Sequence, residues 1–208
     1  MQQKGNLFIF SGPSGIGKDT VLKEVINSSD DIKLSISSIT RDMRENEVEG
    51  EKYHFITREE FEKMIVNDEF LEYNEYCGNL YGTPKKQVLD WINEGYNVIL
   101  EIDVNGAFKV KKKMPEAVMI FMLPTEFDVL RHRLEKRGTE DEEIIKKRLK
   151  QAAKEIAFAT EYDYLFFNDK LENAVNDLKS IIRATALLNE NMKEQYRKVI
   201  DDAKSIDW

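Results

Sequence analysis

The sequence predicts an α/β fold in which a parallel β-sheet is flanked by helices. Apolar, β-branched or aromatic runs alternate with segments of helical pattern, which is the order typical of a parallel sheet. Several runs are apolar almost throughout, so we expect both faces of the sheet to be covered. The predicted strands are Leu7–Phe10, Ile32–Ser37, Asn97–Asp103, Val118–Leu123 and Tyr164–Phe167.

Helices are predicted between these strands. They cover about Asp19–Asn27, Pro84–Glu94, Phe108–Lys113, Glu126–Lys136 and Glu140–Thr160, with one or two amphipathic helices after Lys170. Thr83 and Pro84 offer an N-cap and a proline at the first helical position. Thr139 and Glu142 have the spacing of a capping box. A long polar segment, residues 38–82, interrupts the alternation, and an insertion of this length is usually functional.

Composition and charge exclude several classes of protein. The chain has 208 residues, of which 41% are hydrophobic and 34% charged, as in an ordinary globular domain. The longest apolar run, Ala117–Leu123, is too short to cross a bilayer, and the N-terminus lacks a secretory signal. The single cysteine, Cys77, cannot form an internal disulfide, which favours the cytoplasm. A net charge of −8 argues against a broad nucleic-acid surface.

Arginine is concentrated in two short segments of the chain. Six of the nine arginines lie there, namely Arg41, Arg44, Arg131, Arg133, Arg137 and Arg148. A planar guanidinium matches the geometry of phosphate oxygens better than an ammonium does. Clustered arginines in an acidic protein therefore predict a small anionic ligand in a cleft.

A glycine-rich segment follows the first predicted strand and leads into a helix. Its sequence is Ser11-Gly12-Pro13-Ser14-Gly15-Ile16-Gly17-Lys18-Asp19-Thr20. The spacing of Gly12, Gly17 and Lys18 matches a P-loop, in which backbone N–H groups and a helix N-terminus bind phosphate. We expect Lys18 to contact the β- and γ-phosphates of a nucleotide.

Asp19 departs from the P-loop pattern, which has Ser or Thr after the lysine to help hold Mg²⁺. Two interpretations are open. The carboxylate either faces the metal and replaces the hydroxyl, or points to solvent at the helix start, where negative charge is favourable by about 0.3–1 kcal/mol. The hydroxyl of the next residue, Thr20, is expected to point elsewhere on the helix.

A second motif runs through the polar segment. Residues 37–55 resemble the guanylate kinase pattern S-x-T-T-R-x-P-R-x-G-E-x-x-G-x-x-Y-x-F, with departures at Ile39, Met43 and Asn46. Further matches, in the family's order, are Glu69-Phe70-Leu71-Glu72, Gly78-Asn79-Leu80-Tyr81-Gly82-Thr83, Leu100-Glu101-Ile102-Asp103 with Gly106, Arg137-Gly138-Thr139, and Tyr162-Asp163-Tyr164 leading to Asn168-Asp169. The resemblance spans about residues 8–169.

The resemblance implies a P-loop NTPase-type enzyme that transfers the γ-phosphoryl group of ATP to GMP, with dGMP as a further acceptor. It implies one domain over residues 1–208, with a core (1–37, 84–125 and 158–208), a GMP-binding insertion (38–83) and a helical lid (126–157). Mg²⁺ would arrive with ATP, and no direct protein ligand for it is assigned. Because the family often has glycine at the position of Asp19, we favour solvent exposure for that side chain.

The resemblance also implies roles for individual residues. ATP binding is assigned to Gly12, Pro13, Ser14, Gly15, Ile16, Gly17, Lys18, Asp19, Thr20, Arg133 and Asn168. GMP binding is assigned to Ser37, Arg41, Arg44, Tyr53, Glu72, Tyr81, Thr83, Glu101 and Asp103, and catalysis to Lys18, Arg41, Arg137 and Arg148. The chemistry agrees, because one carboxylate at Glu72 can accept both the N1–H and the 2-amino donors of guanine, a pair that adenine lacks. Glu101 and Asp103, two residues apart on a predicted strand, are expected to share a face at its carboxyl end.

The sequence disfavours two alternative functions. Guanylate-kinase-like domains of scaffold proteins bind phosphopeptides without catalysis, and they usually lose the P-loop glycines and lysine. This chain keeps Gly17 and Lys18, which favours an enzyme over a catalytically weak binding module. A kinase for another nucleoside monophosphate is disfavoured by Glu72, Ser37 and Thr83.

Overall fold

The structure of the chain is a computed structural model that describes residues 4–76, 78–136 and 142–205. Its strands are β1 (Leu7–Ser11), β2 (Ile32–Leu34), β3 (Ser37–Ile39), β4 (Tyr53–Phe55), β5 (Phe70–Tyr76), β6 (Asn79–Pro84), β7 (Asn97–Glu101), β8 (Val118–Leu123) and β9 (Tyr164–Phe167). Its helices are α1 (Lys18–Asn27), α2 (Arg58–Val66), α3 (Lys85–Asn93), α4 (Val104–Lys113), α5 (Phe127–Lys136), α6 (Glu142–Ala157), α7 (Leu171–Ala186) and α8 (Asn189–Lys204).

The main sheet has five strands in the order β2-β7-β1-β8-β9, and all four pairings are parallel. Its central strand, β1, is buried along its whole length. Phe8 and Phe10 face a core formed with α1 and α7, whereas Leu7 and Ile9 face a second core formed with α3 and α4. This alternation follows the period of two along a strand. The predicted parallel sheet with helices on both faces is confirmed.

The polar insertion forms a sheet of its own, in the order β4-β3-β6-β5. This sheet is mixed, because β3 pairs with β4 in parallel and with β6 in antiparallel orientation. Its core consists of Phe61, Phe70 and Leu80, with the two phenylalanine rings stacked at 4.4 Å between centroids. The helix α2 that supplies Phe61 begins with a capping box between Thr57 and Glu60. The insertion thus has its own strands and its own small core.

The single strand predicted for residues 32–37 is wrong. The chain pairs with β7 only over Ile32–Leu34, and from Ser37 it pairs with β4 and β6 in the second sheet. The strand predicted for residues 97–103 ends at Glu101, because Asp103 is the N-cap of α4 and accepts a hydrogen bond from the backbone N–H of Gly106. Apolar runs show where strands occur, but the choice of pairing partner depends on the tertiary fold.

The predicted helices occur, with shifted boundaries. Pro84 is itself the N-cap of α3, so the predicted N-cap at Thr83 is wrong and Thr83 lies in β6. The helix predicted from Phe108 begins at Val104, and the two C-terminal helices are α7 and α8. The predicted capping box at Thr139 lies outside the described residues. Within the described ranges, every helix is too short or too polar to cross a membrane.

Phe61→Ala should destabilise the insertion. Phe61 is fully buried in the smallest of the hydrophobic cores, so its loss should lower the free energy of unfolding by about 3–5 kcal/mol. Val66→Ala is the matched control, because Val66 lies on the same helix with 84% of its surface exposed. The control should stay within about 0.5 kcal/mol. Urea denaturation of both variants measures this, and a loss below about 1 kcal/mol for Phe61→Ala would contradict the expected role of this core.

Candidate active site

The loop between β1 and α1 has the shape of a phosphate-binding loop. Gly15 and Gly17 adopt positive φ angles of 84° and 100°, a left-handed conformation that is accessible to glycine without steric cost. Gly17 is the N-cap of α1 and has no side chain to occupy the first N–H groups of the helix. These N–H groups and the helix dipole favour an anion at this position. The loop can therefore hold phosphate oxygens.

Two side chains hold this loop in place. The Nζ atom of Lys18 donates a hydrogen bond to the carbonyl oxygen of Gly12 at 2.8 Å. The Nδ2 atom of Asn168, which follows β9 and is buried, donates to the carbonyl oxygen of Ile16 at 2.7 Å. Asn168 was predicted to contact nucleotide, and its amide in the structure supports the loop backbone.

Lys18 lies among carboxylates at the end of the loop. Burial lowers the pKa of its ammonium group, while the charges of Glu101, Glu155 and Asp19 act in the opposite direction. Glu155 lies on α6, and burial raises the pKa of its carboxyl group. No sequence pattern marks Glu155, because it is one acidic residue among many on a charged helix. A partly desolvated ammonium attracts phosphate more strongly than an ammonium in water.

Glu72 and Thr83 form a buried polar pair on adjacent strands. They are opposite each other in the register of β5 and β6, and the Oγ1 atom of Thr83 donates to Oε1 of Glu72 at 2.8 Å. Glu72 is 8% exposed, and burial raises the pKa of its carboxyl group. The other oxygen, Oε2, lies 3.0 Å from where a side-chain Cβ would be at Gly106, so any larger residue there would force the carboxylate to shift by a few tenths of an ångström. The structure therefore brings together two predicted residues around one buried carboxylate.

Arg41 is held by Glu47, a residue that the sequence motif did not single out. Both terminal nitrogens of its guanidinium bind the carboxylate of Glu47, one of them at 2.6 Å. The backbone N–H of Arg44 donates to the same carboxylate at 2.9 Å. Hydrogen bonds from Arg41 and then from Arg44 lower the pKa of Glu47 to about 2. The Nε atom of Arg41 is buried without a hydrogen-bond partner among the described residues.

The tyrosines predicted at the site lie beside Arg41. Its guanidinium carbon is 5.4 Å from the ring centroid of Tyr53, and the rings of Tyr53 and Tyr81 meet edge to face at 6.5 Å. Next to them is a cavity of about 130 Å³ lined by Leu34, Ser35, Ser37, Lys52, Tyr53 and Glu101. Ser37, Tyr53 and Glu101 were predicted for the same site, and the structure places all three around this cavity.

Lys52 lines this cavity and was not predicted as a site residue. Its Nζ atom forms an ion pair with Asp19 on α1 and lies 3.5 Å from Oε2 of Glu101. The side chain of Asp19 is 72% exposed, so the favoured interpretation of a solvent-facing carboxylate agrees with the structure, with Lys52 as its partner. Thr20 is also exposed on α1. The only sequence signal for Lys52 as a site residue is its positive charge close to the arginine-rich motif.

Asp103 does not share a strand face with Glu101, because it caps α4. Its Oδ1 atom accepts from the backbone of Gly106 at 2.8 Å, and its Oδ2 atom accepts from Asn74 at 3.4 Å. The carboxylate of Asp103 is still close to Glu72, since it contributes to raising the pKa of Glu72. Glu101 and Asp103, predicted as a pair, therefore lie in different surroundings. Glu101 lines the cavity, whereas Asp103 accepts a hydrogen bond from the backbone of Gly106.

The predicted lid is only partly described. Leu130, Leu134 and Leu149 of α5 and α6 are buried in the core beside α1, so the bases of both helices are packed against the sheet. Arg148 lies half-buried on α6. The side chain of Arg133 and the whole of Arg137 lie outside what the structure describes. Within the described ranges, no cluster of three or more His, Cys, Asp or Glu side chains is arranged to hold a metal ion.

Comparison with known proteins identifies the family. The guanylate kinase family model matches residues 4–185. A guanylate kinase of Carboxydothermus hydrogenoformans is 51% identical over 95% of this chain and 96% of its own length, and one of Oceanobacillus iheyensis is 44% identical over 99% and 100%. The chain belongs to the guanylate kinase family. The crystal structure of the guanylate kinase from Anaplasma phagocytophilum agrees, with a TM-score of 0.73 at 32% identity over 94% of this chain and 97% of that one.

The guanylate kinase match covers every element that contributes to the candidate site. The family model ends at residue 185, one residue before the end of α7, so α8 lies beyond it. The curated guanylate kinases named above nevertheless align with nearly the whole chain. The sequence motif and the whole-chain comparisons therefore lead to the same family.

Glu72→Gln should change how stability depends on pH. An unfolded glutamate ionises near its ordinary value of 4.5, whereas the buried Glu72 ionises at higher pH. Between these two values the folded state holds the extra proton, so stability falls as the pH rises through the interval. The variant should lack this decline and gain on the order of 1 kcal/mol relative to wild type at pH 8 compared with pH 4.

Urea denaturation across this pH range measures the difference. Glu75→Gln is the matched control on the same strand, because the Glu75 side chain is 55% exposed. If both variants follow the wild-type pH profile, burial of the Glu72 charge does not govern stability.

Proposed function

We propose that this member of the guanylate kinase family transfers the γ-phosphoryl group of ATP to GMP, giving ADP and GDP. The activity is supported by curated relatives that are named guanylate kinases and match over nearly their full length. The observation that carries the choice of acceptor is the buried carboxylate of Glu72, to which Thr83 donates a hydrogen bond at 2.8 Å, in a chain that keeps the P-loop glycines and lysine.

ATP is the donor in this proposal. Its phosphates bind the loop of residues 12–17 and the N-terminus of α1, where backbone N–H groups point at them. Lys18 releases the Gly12 carbonyl and bridges the β- and γ-phosphates. Arg137 and Arg148 supply positive charge over the migrating group, which needs electrostatic stabilisation and alignment more than covalent help.

GMP is the acceptor, and two kinds of contact recognise it. Glu72 accepts hydrogen bonds from the N1–H and 2-amino groups of guanine, with hydroxyls from Ser37 and Thr83 available to the base. A base without those donors would leave a buried carboxylate unpaired, which costs affinity. dGMP carries the same base and is proposed as a second acceptor.

The 5′-phosphate of GMP is bound by cations and hydroxyls of the insertion. These are Arg41, Arg44, Tyr53 and Tyr81. Glu47 holds the guanidinium of Arg41 in one orientation before the ligand arrives, which reduces the entropy lost on binding.

Mg²⁺ is proposed to arrive with ATP. The carboxylates of Asp19 and Glu101 near the loop both contact Lys52, so the phosphates of ATP, and not these two side chains, are proposed to hold the ion. When bound, the ion neutralises charge on the phosphate oxygens. The chain's own part is to orient the phosphates through the loop and Lys18.

The division into a core (1–37, 84–125 and 158–208), an insertion (38–83) and a lid (126–157) is also a proposal. The separate sheet and core of the insertion support the first boundary. A cytoplasmic location and the absence of nucleic-acid and membrane partners are proposed from the single cysteine and the net charge of −8. The alternative of a binding module is disfavoured by the complete Gly17-Lys18 pair.

Lys18→Ala should nearly abolish turnover while GMP affinity stays within a few-fold. The reason is that Lys18 lies at the donor phosphates and not at the base site. Calorimetry with GMP in the absence of ATP, beside a coupled assay of ADP release, separates the two effects. An equal loss of GMP affinity would place Lys18 at the acceptor and contradict the assignment.

Wild-type protein should phosphorylate GMP and dGMP much faster than AMP or UMP, and Glu72→Gln should lose that preference. An amide cannot accept both guanine donors, so apparent GMP affinity should fall by about 2–4 kcal/mol. The coupled assay with all four acceptors measures this, and Glu75→Gln serves as the control on the same strand. Unchanged GMP affinity in Glu72→Gln would remove that residue from the base site, and wild-type protein inactive on GMP would overturn the proposed function.

A further inference from the structure

Asp19, the residue that departs from the P-loop pattern, has a charged partner from a distant part of the chain. Lys52 lies 33 residues later, directly before β4 of the insertion, and its ammonium binds the Asp19 carboxylate. The same Nζ atom is 3.5 Å from Glu101 at the end of β7. One lysine therefore joins the insertion to two positions on the core.

Lys52 and the charged groups closest to it are two cations and two anions, and Glu155 is a further carboxylate beside Lys18. Lys18 and Lys52 are the cations, and Asp19 and Glu101 are the anions. Burial opposes the charge on Lys52, yet the carboxylates of Glu101 and Asp19 raise its pKa above the ordinary lysine value. A hydrogen bond from Lys52 in turn helps to lower the pKa of Asp19, against the effect of burial. The pair is therefore ionised around neutral pH.

A contribution to the stability of the folded chain does not explain why Lys52 and Asp19 are paired. The side chains of Lys52 and Asp19 are 46% and 72% exposed, and ion pairs as exposed as this one contribute little to the free energy of unfolding. The charge of Asp19 acts on a ligand of the loop as well. A carboxylate in the first turn of α1 repels a polyphosphate bound at the same helix N-terminus, where other P-loops have a neutral hydroxyl.

We propose that Lys52 is a charge-compensating residue of the ATP site. Its ammonium neutralises Asp19 and so allows a P-loop with an additional negative charge to bind polyphosphate. The inference rests on the proposed function, in which ATP occupies the loop. Asp19 and Lys52 then form a matched pair: Lys52 is needed because Asp19 is present, and removing both should matter less than removing Lys52 alone.

A double-mutant cycle tests this pairing. The four proteins are wild type, Lys52→Met, Asp19→Asn and the double variant, and the measurement is calorimetric Kd for the Mg²⁺ complex of the non-hydrolysable ATP analogue adenosine 5′-(β,γ-imido)triphosphate, without GMP. Lys52→Met should weaken binding about tenfold, which corresponds to 1.4 kcal/mol. Asp19→Asn should bind as tightly as wild type or up to about threefold tighter, and the double variant should return to within about threefold of wild type.

Two controls separate this role from a structural one. Lys52→Arg keeps the charge and should retain binding within about threefold. Lys63→Met removes an exposed lysine of the same insertion, on α2, and should leave binding unchanged. Urea denaturation should show the same free energy of unfolding for Lys52→Met and the double variant, so a difference in Kd between these two proteins cannot come from the lost contact of Lys52 with Glu101. A purely structural contact would not change the Kd while the free energy of unfolding stays the same.

Several results would overturn the proposal. One is wild-type affinity in Lys52→Met, and another is a double variant as weak as Lys52→Met. A third is a more than tenfold rise in the Mg²⁺ concentration for half-maximal binding in Asp19→Asn, which would make Asp19 a metal-site residue. Binding is measured without GMP. A wild-type protein that binds the analogue but does not phosphorylate GMP would therefore contradict only the proposed function. A wild type that does not bind the analogue would overturn both.

Discussion

Strand β1 lies in the middle of the parallel sheet, hydrogen-bonded to β7 on one side and to β8 on the other. Burial on both faces fixes its direction and register, and its carboxyl end therefore opens at the same edge as those of its neighbours. The phosphate-binding loop starts there, and Glu101 ends β7 beside it. Ser11, the last residue of β1, donates to the carbonyl of Ile102 at 2.8 Å and ties the two strand ends together. The positions of the proposed ATP-binding loop and of Glu101 both depend on this arrangement.

The insertion depends on the same edge of the sheet. The chain leaves the core at β3 and returns through β6, and these two strands pair with each other through Ser38 and Gly82. Both crossing points therefore lie side by side, and the residues nearest to them, Ser37 and Thr83, face the candidate site. Charges are desolvated around this junction: burial raises the pKa of both Glu72 and Glu101. Such charges are tolerated because hydroxyl or ammonium partners lie within reach.

Much of this organisation is local and could be predicted from the sequence. Apolar runs and helical patterns predicted the α/β class, because the spacing of apolar residues indicates which face of each strand and helix is buried. The loop of residues 12–18 is contiguous, so its phosphate-binding geometry follows from its own glycines and from the helix after it. Glu72 and Thr83 were found through motif resemblance, and the structure adds that they are hydrogen-bonded on neighbouring strands.

Other features depend on contacts between residues that are distant in sequence or belong to different elements. The pairs Lys52–Asp19 and Asn168–Ile16 join segments 33 and 152 residues apart, and no local pattern marks either partner. Asp103 has the sequence environment of a strand end, yet it caps α4, because the chain turns into a helix at that point. The sequence alone predicted the helices and most strands of the core and a candidate phosphate-binding loop, since these are set by neighbouring residues, but it did not predict the helix and the strands of the insertion. The tertiary structure decided which charges meet, because strand pairing and the path of the insertion bring them together.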